Sequence, residues 1–144
     1  MRRTRTLRGF VRTNQEVRRL IVDDGQFTRA YRVTRFEIIS ADPSISSGDC
    51  YGTLALDQDG ARTWNLGDNR QIGWAGQNMT ASSGPDRNFS LLDPDHIIVR
   101  DLWVYGSGTG ATAGYQYFVE LEMIEITEDQ AVLALIKERS QDDL

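Results

Sequence analysis

The sequence contains few of the side chains on which enzymes depend for chemistry. It has one histidine, His96, one cysteine, Cys50, and one lysine, Lys137. A catalytic triad needs a histidine that is held beside a serine or cysteine nucleophile. Asp95, the sequence neighbour of His96, cannot supply both the geometry of a triad and its base. One histidine and one cysteine are also too few ligands for a zinc site. We therefore predict that the protein is not an enzyme and has no catalytic residue, metal site or cofactor.

Three further motifs are better explained by ordinary structure than by a site. Residues 57–60 (DQDG) look like the start of a calcium loop, but in that register an alanine and a leucine would occupy the first and last ligand positions. Residues 106–110 (GSGTG) lack the Lys-Ser/Thr of a phosphate-binding loop and lead into a strand instead of a helix. Glu120 and Glu122 are two residues apart, so in a strand they would lie on the same face. An exposed polar face is the favoured interpretation, and a pair of carboxylates as in a glycosidase is the less favoured one.

Charge is the most uneven property of the sequence. Residues 1–35 contain ten of the sixteen basic residues and three acidic ones, a net charge of +7. Because the whole chain carries −5, the remaining 109 residues carry −12. Such segregation predicts that the basic end binds an acidic protein surface, a nucleic acid or the acidic face of a neighbouring subunit. The residues that we expect to contact a partner are Arg2, Arg3, Arg5, Arg8, Phe10 and Arg12.

Nucleic acid is the less favoured of these partners. Arginines interleaved with aromatic residues such as Phe27 and Tyr31 are typical of single-strand binding proteins. A body with a net charge of −12 would repel a polyanion, however. No window of the sequence is long and apolar enough to span a membrane, and the first residues lack the apolar run of a signal peptide. We therefore expect a protein partner, no membrane, and synthesis in a reducing compartment.

The hydrophobic pattern predicts a mainly β protein. Apolar residues alternate with a period of two, interrupted by turn residues. Residues 17–22 and 27–39 are predicted to form a hairpin, with a bulge near Thr34 where the alternation changes phase. Further strands are predicted at 50–56, 62–66, 71–75, 89–92, 97–105 and 115–126.

The end of the chain follows a different pattern. Residues 128–139 have helical spacing after a capping box, which predicts one short C-terminal α-helix. Together these elements predict an antiparallel β-sandwich or jelly roll with that helix. Residues 13–144 would form one domain, preceded by residues 1–12 as an Arg-rich arm or first strand.

Several segments resemble small virion proteins of tailed phages that infect marine bacteria. They are residues 93–106 (DPDHIIVRDLWVYG), 117–126 (YFVELEMIEI) and 134–142 (ALIKERSQD), together with 8–11 (RGFV) and 36–39 (FEII). The resemblance implies a capsid-associated or minor structural protein without enzymatic activity. No functional residue follows from it.

We therefore expect a decoration or cement protein of the virion, made in the host cytoplasm. It would bind the major capsid protein or another virion protein and form a homo-oligomer. A head–tail connector, a collar protein and a fibre-base protein are alternatives. A carbohydrate-binding module is an alternative of another class, in which Trp64, Trp74 and Trp103 would be an exposed platform, whereas core packing would bury them.

Overall fold

The protein is described from a computed structural model, which covers residues 4–11, 16–22, 29–40, 48–58, 63–79, 87–98, 100–108 and 114–125. This part of the chain contains eight strands. They are β1 (Thr4–Val11), β2 (Val17–Ile21), β3 (Arg29–Ser40), β4 (Gly48–Ala55), β5 (Gln71–Met79), β6 (Arg87–Leu92), β7 (Asp101–Gly108) and β8 (Tyr115–Glu125). The helix predicted over 128–139 lies outside the described residues.

The strands form two antiparallel sheets. The small sheet has the order β1-β8-β3, and the large sheet has the order β2-β7-β4-β5-β6. In the small sheet, β1 pairs with β8 along its whole length, from Thr4 opposite Glu122 to Val11 opposite Tyr115. The prediction of a mainly β protein with antiparallel strands is confirmed.

Two local predictions were wrong. β2 pairs with β7 and β3 pairs with β8, so β2 and β3 belong to different sheets and do not form a hairpin. The turn residues in the sequence between them are typical of a chain reversal, but they do not determine which strand β2 or β3 pairs with. In the described part of the strand expected over 62–66, no strand is present. Residues 63–70 instead form turns closed by Asp68 N donating to Asn65 O and Gln71 N donating to Asp68 O.

The bulge predicted near Thr34 is confirmed. The register of β3 against β8 shifts between Val33 and Arg35, and Thr34 Oγ1 donates a hydrogen bond of 3.2 Å to Glu120 O. The extra residue reverses the alternation. As a result, Val33 and Phe36 are both buried on the inner face although their numbers differ in parity.

The core lies between the two sheets. Buried side chains of β3 and β8, such as Phe36 and Leu121, belong to the same apolar cluster as Leu54 of the large sheet. The contact is close where β3 crosses the large sheet, since a Cβ placed on Gly52 would lie 2.6 Å from Ile38 Cγ1. Each sheet therefore has one face in this core. The opposite face of the large sheet is itself partly buried, because Ala55 and Tyr105 form a second apolar cluster there.

Candidate functional site

The structure places three of the predicted interface residues on one edge strand. Arg5, Arg8 and Phe10 belong to β1, which ends the small sheet in the described part of the chain. Residues 4–11 are thus a first strand and not a detached arm. Arg2, Arg3 and Arg12 lie outside the described residues.

These three side chains have different surroundings. Arg5 turns toward the end of the core, where Nη1 donates to Val22 O at 3.1 Å and the guanidinium lies 5.9 Å from the centre of the Tyr31 ring. Arg8 and Phe10 are exposed and lie opposite Phe118 and Gln116 of β8. Arg5 is exposed but contacts the end of the core, whereas Arg8 and Phe10 lie on the outer face of the sheet.

Arg8 and Phe10 line a concavity on the outer face of the small sheet, which we call the assembly groove. Its volume is about 550 Å³, and its walls include Arg8, Phe10, Arg35, Ile39 and Phe118. Phe10 and Ile39 remain 44% and 42% exposed, respectively. Aromatic and arginine side chains are enriched among the residues that contribute most to the binding free energy of protein interfaces.

Arg35 is held in a defined orientation in this groove. Its Nη2 donates to Glu37 Oε2 at 2.8 Å, and its guanidinium lies 5.2 Å from the centre of the Phe118 ring. Both contacts are made at the surface, so their contribution to the free energy of folding is small. Their effect is to present a cation beside exposed apolar side chains.

The arginines of β2 extend this basic region. Arg18 Nη1 donates to Phe10 O at 3.4 Å, which brings β2 of the large sheet beside β1 of the small sheet. Both strands are at the ends of their sheets in the described part of the chain. Arg19 is partly neutralised by Asp101, whose Oδ2 lies 2.7 Å from Arg19 Nη2. Part of the basic N-terminal segment is thus brought together where β1 and β2 adjoin, whereas Arg29, Arg32 and Arg35 lie on β3, beyond β8 in the small sheet.

Burial shifts the pKa of both titratable residues that the sequence offered for chemistry, Cys50 and His96. Cys50 is buried and burial raises the pKa of its thiol to about 11, so the reactive thiolate is suppressed at neutral pH. Burial lowers the pKa of His96, against the attraction of Asp93, whose Oδ2 lies 3.5 Å from His96 Nδ1.

Within the described ranges, no three histidine, cysteine or carboxylate side chains are grouped to hold a metal ion. The same ranges contain no helix that is long and apolar enough to cross a membrane.

The three tryptophans are not one platform. Trp74 is 6% exposed and its Nε1 donates to Gln71 Oε1 at 2.8 Å, so it is part of the interior. Trp103 is half-buried, with the Arg19 guanidinium 5.8 Å from the centre of its ring. Trp64 is 45% exposed and lies on the outer face of the large sheet.

Comparison of the chain with protein-family models, with curated proteins and with solved structures found no match.

Trp64 belongs to a second concavity, which we call the aromatic groove. Its volume is about 620 Å³, and its walls include Tyr51, Trp64, Phe89, Asp49 and Asn78. The sequence did not single out Tyr51 or Phe89, because they come from separate segments that meet only through pairing. Tyr51 lies opposite Gly76 of β5, and Gly76 lies opposite Phe89 of β6.

Proposed function

We propose that the protein is a non-enzymatic structural protein of a phage virion, which decorates or cements the capsid through the assembly groove. The observation that carries this proposal is the position of Arg8 and Phe10. Two residues expected from the sequence to contact a partner lie together in an exposed concavity, beside Arg35, Ile39 and Phe118.

The order of the strands supports a jelly-roll assignment. A jelly roll arises when a long antiparallel hairpin is rolled up, so that the first strand pairs with the last, the second with the one before it, and so on. Three such pairs occur here, β1 with β8, β2 with β7 and β4 with β5. β6 departs from the scheme by pairing with β5, but Ser90 Oγ of β6 donates to Phe36 O of β3 at 2.7 Å. Jelly rolls occur in viral capsid domains and in lectins.

The charge of the groove indicates its occupant. Arg8 and Arg35 are the basic lining residues in the described part of the chain, and they stand against one carboxylate, Glu37. An acidic surface of the capsid shell complements this arrangement, with Phe10 and Ile39 as apolar anchors. This charge supports an acidic protein surface as the occupant of the assembly groove, and we propose that it belongs to the capsid shell protein.

Attachment can be tested with virions from which the protein has been removed and to which the recombinant full-length chain is returned. We expect Arg8→Glu to reduce the number of bound copies by roughly tenfold or more, because a reversed charge at an interface costs more than about 1.4 kcal/mol. Arg100→Glu is the matched control, since Arg100 is exposed and lies outside the groove. Attachment of the unmodified chain should weaken between about 0.1 M and 1 M salt, as the screening length falls from about 10 Å to 3 Å.

Mass spectrometry of purified virions provides the complementary measurement. Copies on the order of hundreds per particle would support decoration, whereas about six or twelve would indicate a connector, collar or fibre-base position. The absence of the protein from virions, or equal attachment of Arg8→Glu and Arg100→Glu, would overturn the proposal. If Arg8→Glu instead dissociates a homo-oligomer in the absence of capsids, the occupant of the groove is a sibling subunit.

A further inference from the structure

We propose that the aromatic groove on the large sheet binds a neutral carbohydrate. This site is separate from the assembly groove, because the two lie on the outer faces of different sheets. The inference therefore goes beyond the proposed virion function and does not depend on it.

Three aromatic rings form a continuous surface in the groove. The Trp64 ring lies 5.8 Å from the Tyr51 ring, nearly perpendicular to it, and 5.4 Å from the Phe89 ring at an interplanar angle of 40°. Trp64 and Phe89 keep 45% and 49% of their surface exposed. The exposed face of a single ring such as Trp64 or Phe89 is a flat apolar surface, against which the C–H groups on one face of a sugar ring can pack.

Trp64 is held in place before any ligand arrives. Its Nε1 donates to Gly52 O at 2.9 Å, which anchors the indole to β4. Gln71, which is 4% exposed, fixes the backbone on both sides of Trp64 in the chain. Its amide donates to Thr63 O and accepts from Asn65 N at 2.9 Å. The ring also lies against β5, since a Cβ placed on Gly76 would be in van der Waals contact with Trp64 Cη2 at 3.5 Å. An exposed tryptophan fixed in this way loses little entropy on binding.

The polar residues of the groove suit hydroxyl groups. Asp49 and Asn78 lie opposite each other on β4 and β5, and Asn78 Nδ2 donates to Asp49 Oδ1. Gln77 and Asn88 also line the groove. Together a carboxylate and three amides provide acceptors and donors for the hydroxyl groups at the edge of a sugar, while its apolar face rests on the rings.

Asp49, which is the charged residue among the described lining residues, favours a neutral sugar over an anionic ligand. Nucleotides and uronic acids also meet aromatic rings, but they require cations for their phosphate or carboxylate groups. No arginine or lysine is among the described residues that line the groove, and Asp49 would repel an anion. The volume of about 620 Å³ lies within the range of small-ligand sites, which is roughly 300–1,000 Å³.

Binding can be measured by native electrophoresis of the full-length chain through gels that contain a soluble neutral glucan, mannan, xylan or galactan. We expect at least one of them to retard the protein and to change its tryptophan fluorescence, because Trp64 lies in the site. Trp64→Ala and Phe89→Ala should each weaken binding by roughly tenfold, since each removes a stacking surface. Leu91→Ala is the matched control, because Leu91 is 43% exposed on the same strand as Phe89 but does not line the groove.

Phe89→Ala protects the test against misfolding, since Phe89 is 49% exposed and a phenyl side chain donates and accepts no hydrogen bond. Failure of all four neutral glycans to retard the unmodified protein would overturn the proposal. Equal retardation of Phe89→Ala and Leu91→Ala would remove the groove as the site. Stronger binding of alginate or single-stranded DNA would overturn the choice of a neutral ligand. Arg8→Glu should bind glycan normally, which separates this test from that of capsid attachment.

Discussion

Replacing Gln71 with methionine should destabilise the protein while leaving its volume almost unchanged. Gln71 is 4% exposed and connects the start of β5 with the preceding loop. Its side chain accepts hydrogen bonds from Trp74 Nε1 at 2.8 Å and Asn65 N at 2.9 Å, and it donates to Thr63 O. Methionine fills a similar space but can make none of these bonds.

The expected loss can be estimated group by group. The Trp74 indole is 6% exposed, so its N–H would lose its partner inside the protein, at a cost of about 1–3 kcal/mol. Thr63 and Asn65 are exposed and can bond to water instead, which limits their combined cost to about 1 kcal/mol. The free energy of unfolding should therefore fall by about 2–4 kcal/mol. At about 4 °C per kcal/mol for a chain of this size, Tm should fall by roughly 8–16 °C.

Thermal and urea unfolding of Gln71→Met, Trp74→Phe and the double variant would measure this effect. Trp74→Phe removes the indole N–H, so part of the cost of Gln71→Met should already be present in that background. We expect a coupling energy of about 1–2 kcal/mol between the two sites. Strictly additive changes, or a Tm of Gln71→Met equal to that of the unmodified protein, would show that the indole bond to Gln71 does not contribute to stability.

Two further outcomes follow from buried groups. Because burial lowers the pKa of His96 below its ordinary value of 6.5, its contribution to stability should be complete above about pH 6.5 and be lost as pH falls through the folded-state pKa. NMR titration of this single imidazole should give a midpoint below that of an unfolded peptide, and a midpoint at or above it would contradict the expectation. Gly106→Ala should destabilise the fold by roughly 1–3 kcal/mol or more, because the added Cβ would lie 2.3 Å from Cγ of the buried Tyr115 ring. Gly67→Ala, with its nearest contact 3.3 Å away in an exposed turn, is the control in thermal melts, and equal Tm values for the two variants would refute this reason.

The two proposals are compatible in one molecule. A protein attached through the assembly groove would turn the outer face of its small sheet toward the capsid. The outer face of the large sheet, with Trp64 and Phe89, would then be directed to the medium. Glycan binding there would give a virion protein access to surface polysaccharides, while capsid attachment would still depend on Arg8 and Phe10.

Much of the local structure could be predicted from residue types and their spacing. The period-two alternation of β8 identifies which side chains are buried, because successive residues of a strand point to opposite faces. The change of phase at Thr34 predicted the bulge in β3 for the same reason. The concentration of arginine before residue 36 also predicted a surface for a partner at the basic end, since charge remains at the surface unless it is paired, and this stays a prediction.

Tertiary structure alone decided which strands are neighbours and which side chains meet. Alternation determines the face of a residue but carries no information about the partner strand, so β2 and β3 looked like a hairpin although they belong to different sheets. The aromatic groove depends on the same long-range choices, because Tyr51, Trp64 and Phe89 come from separate segments and only Trp64 attracted notice by its type. The burial of Trp74 was likewise decided by the packing of the sheet, where Gln71 accepts the hydrogen bond of its indole N–H. Pairing between distant segments is selected by the total free energy of the fold, which no single stretch of sequence contains.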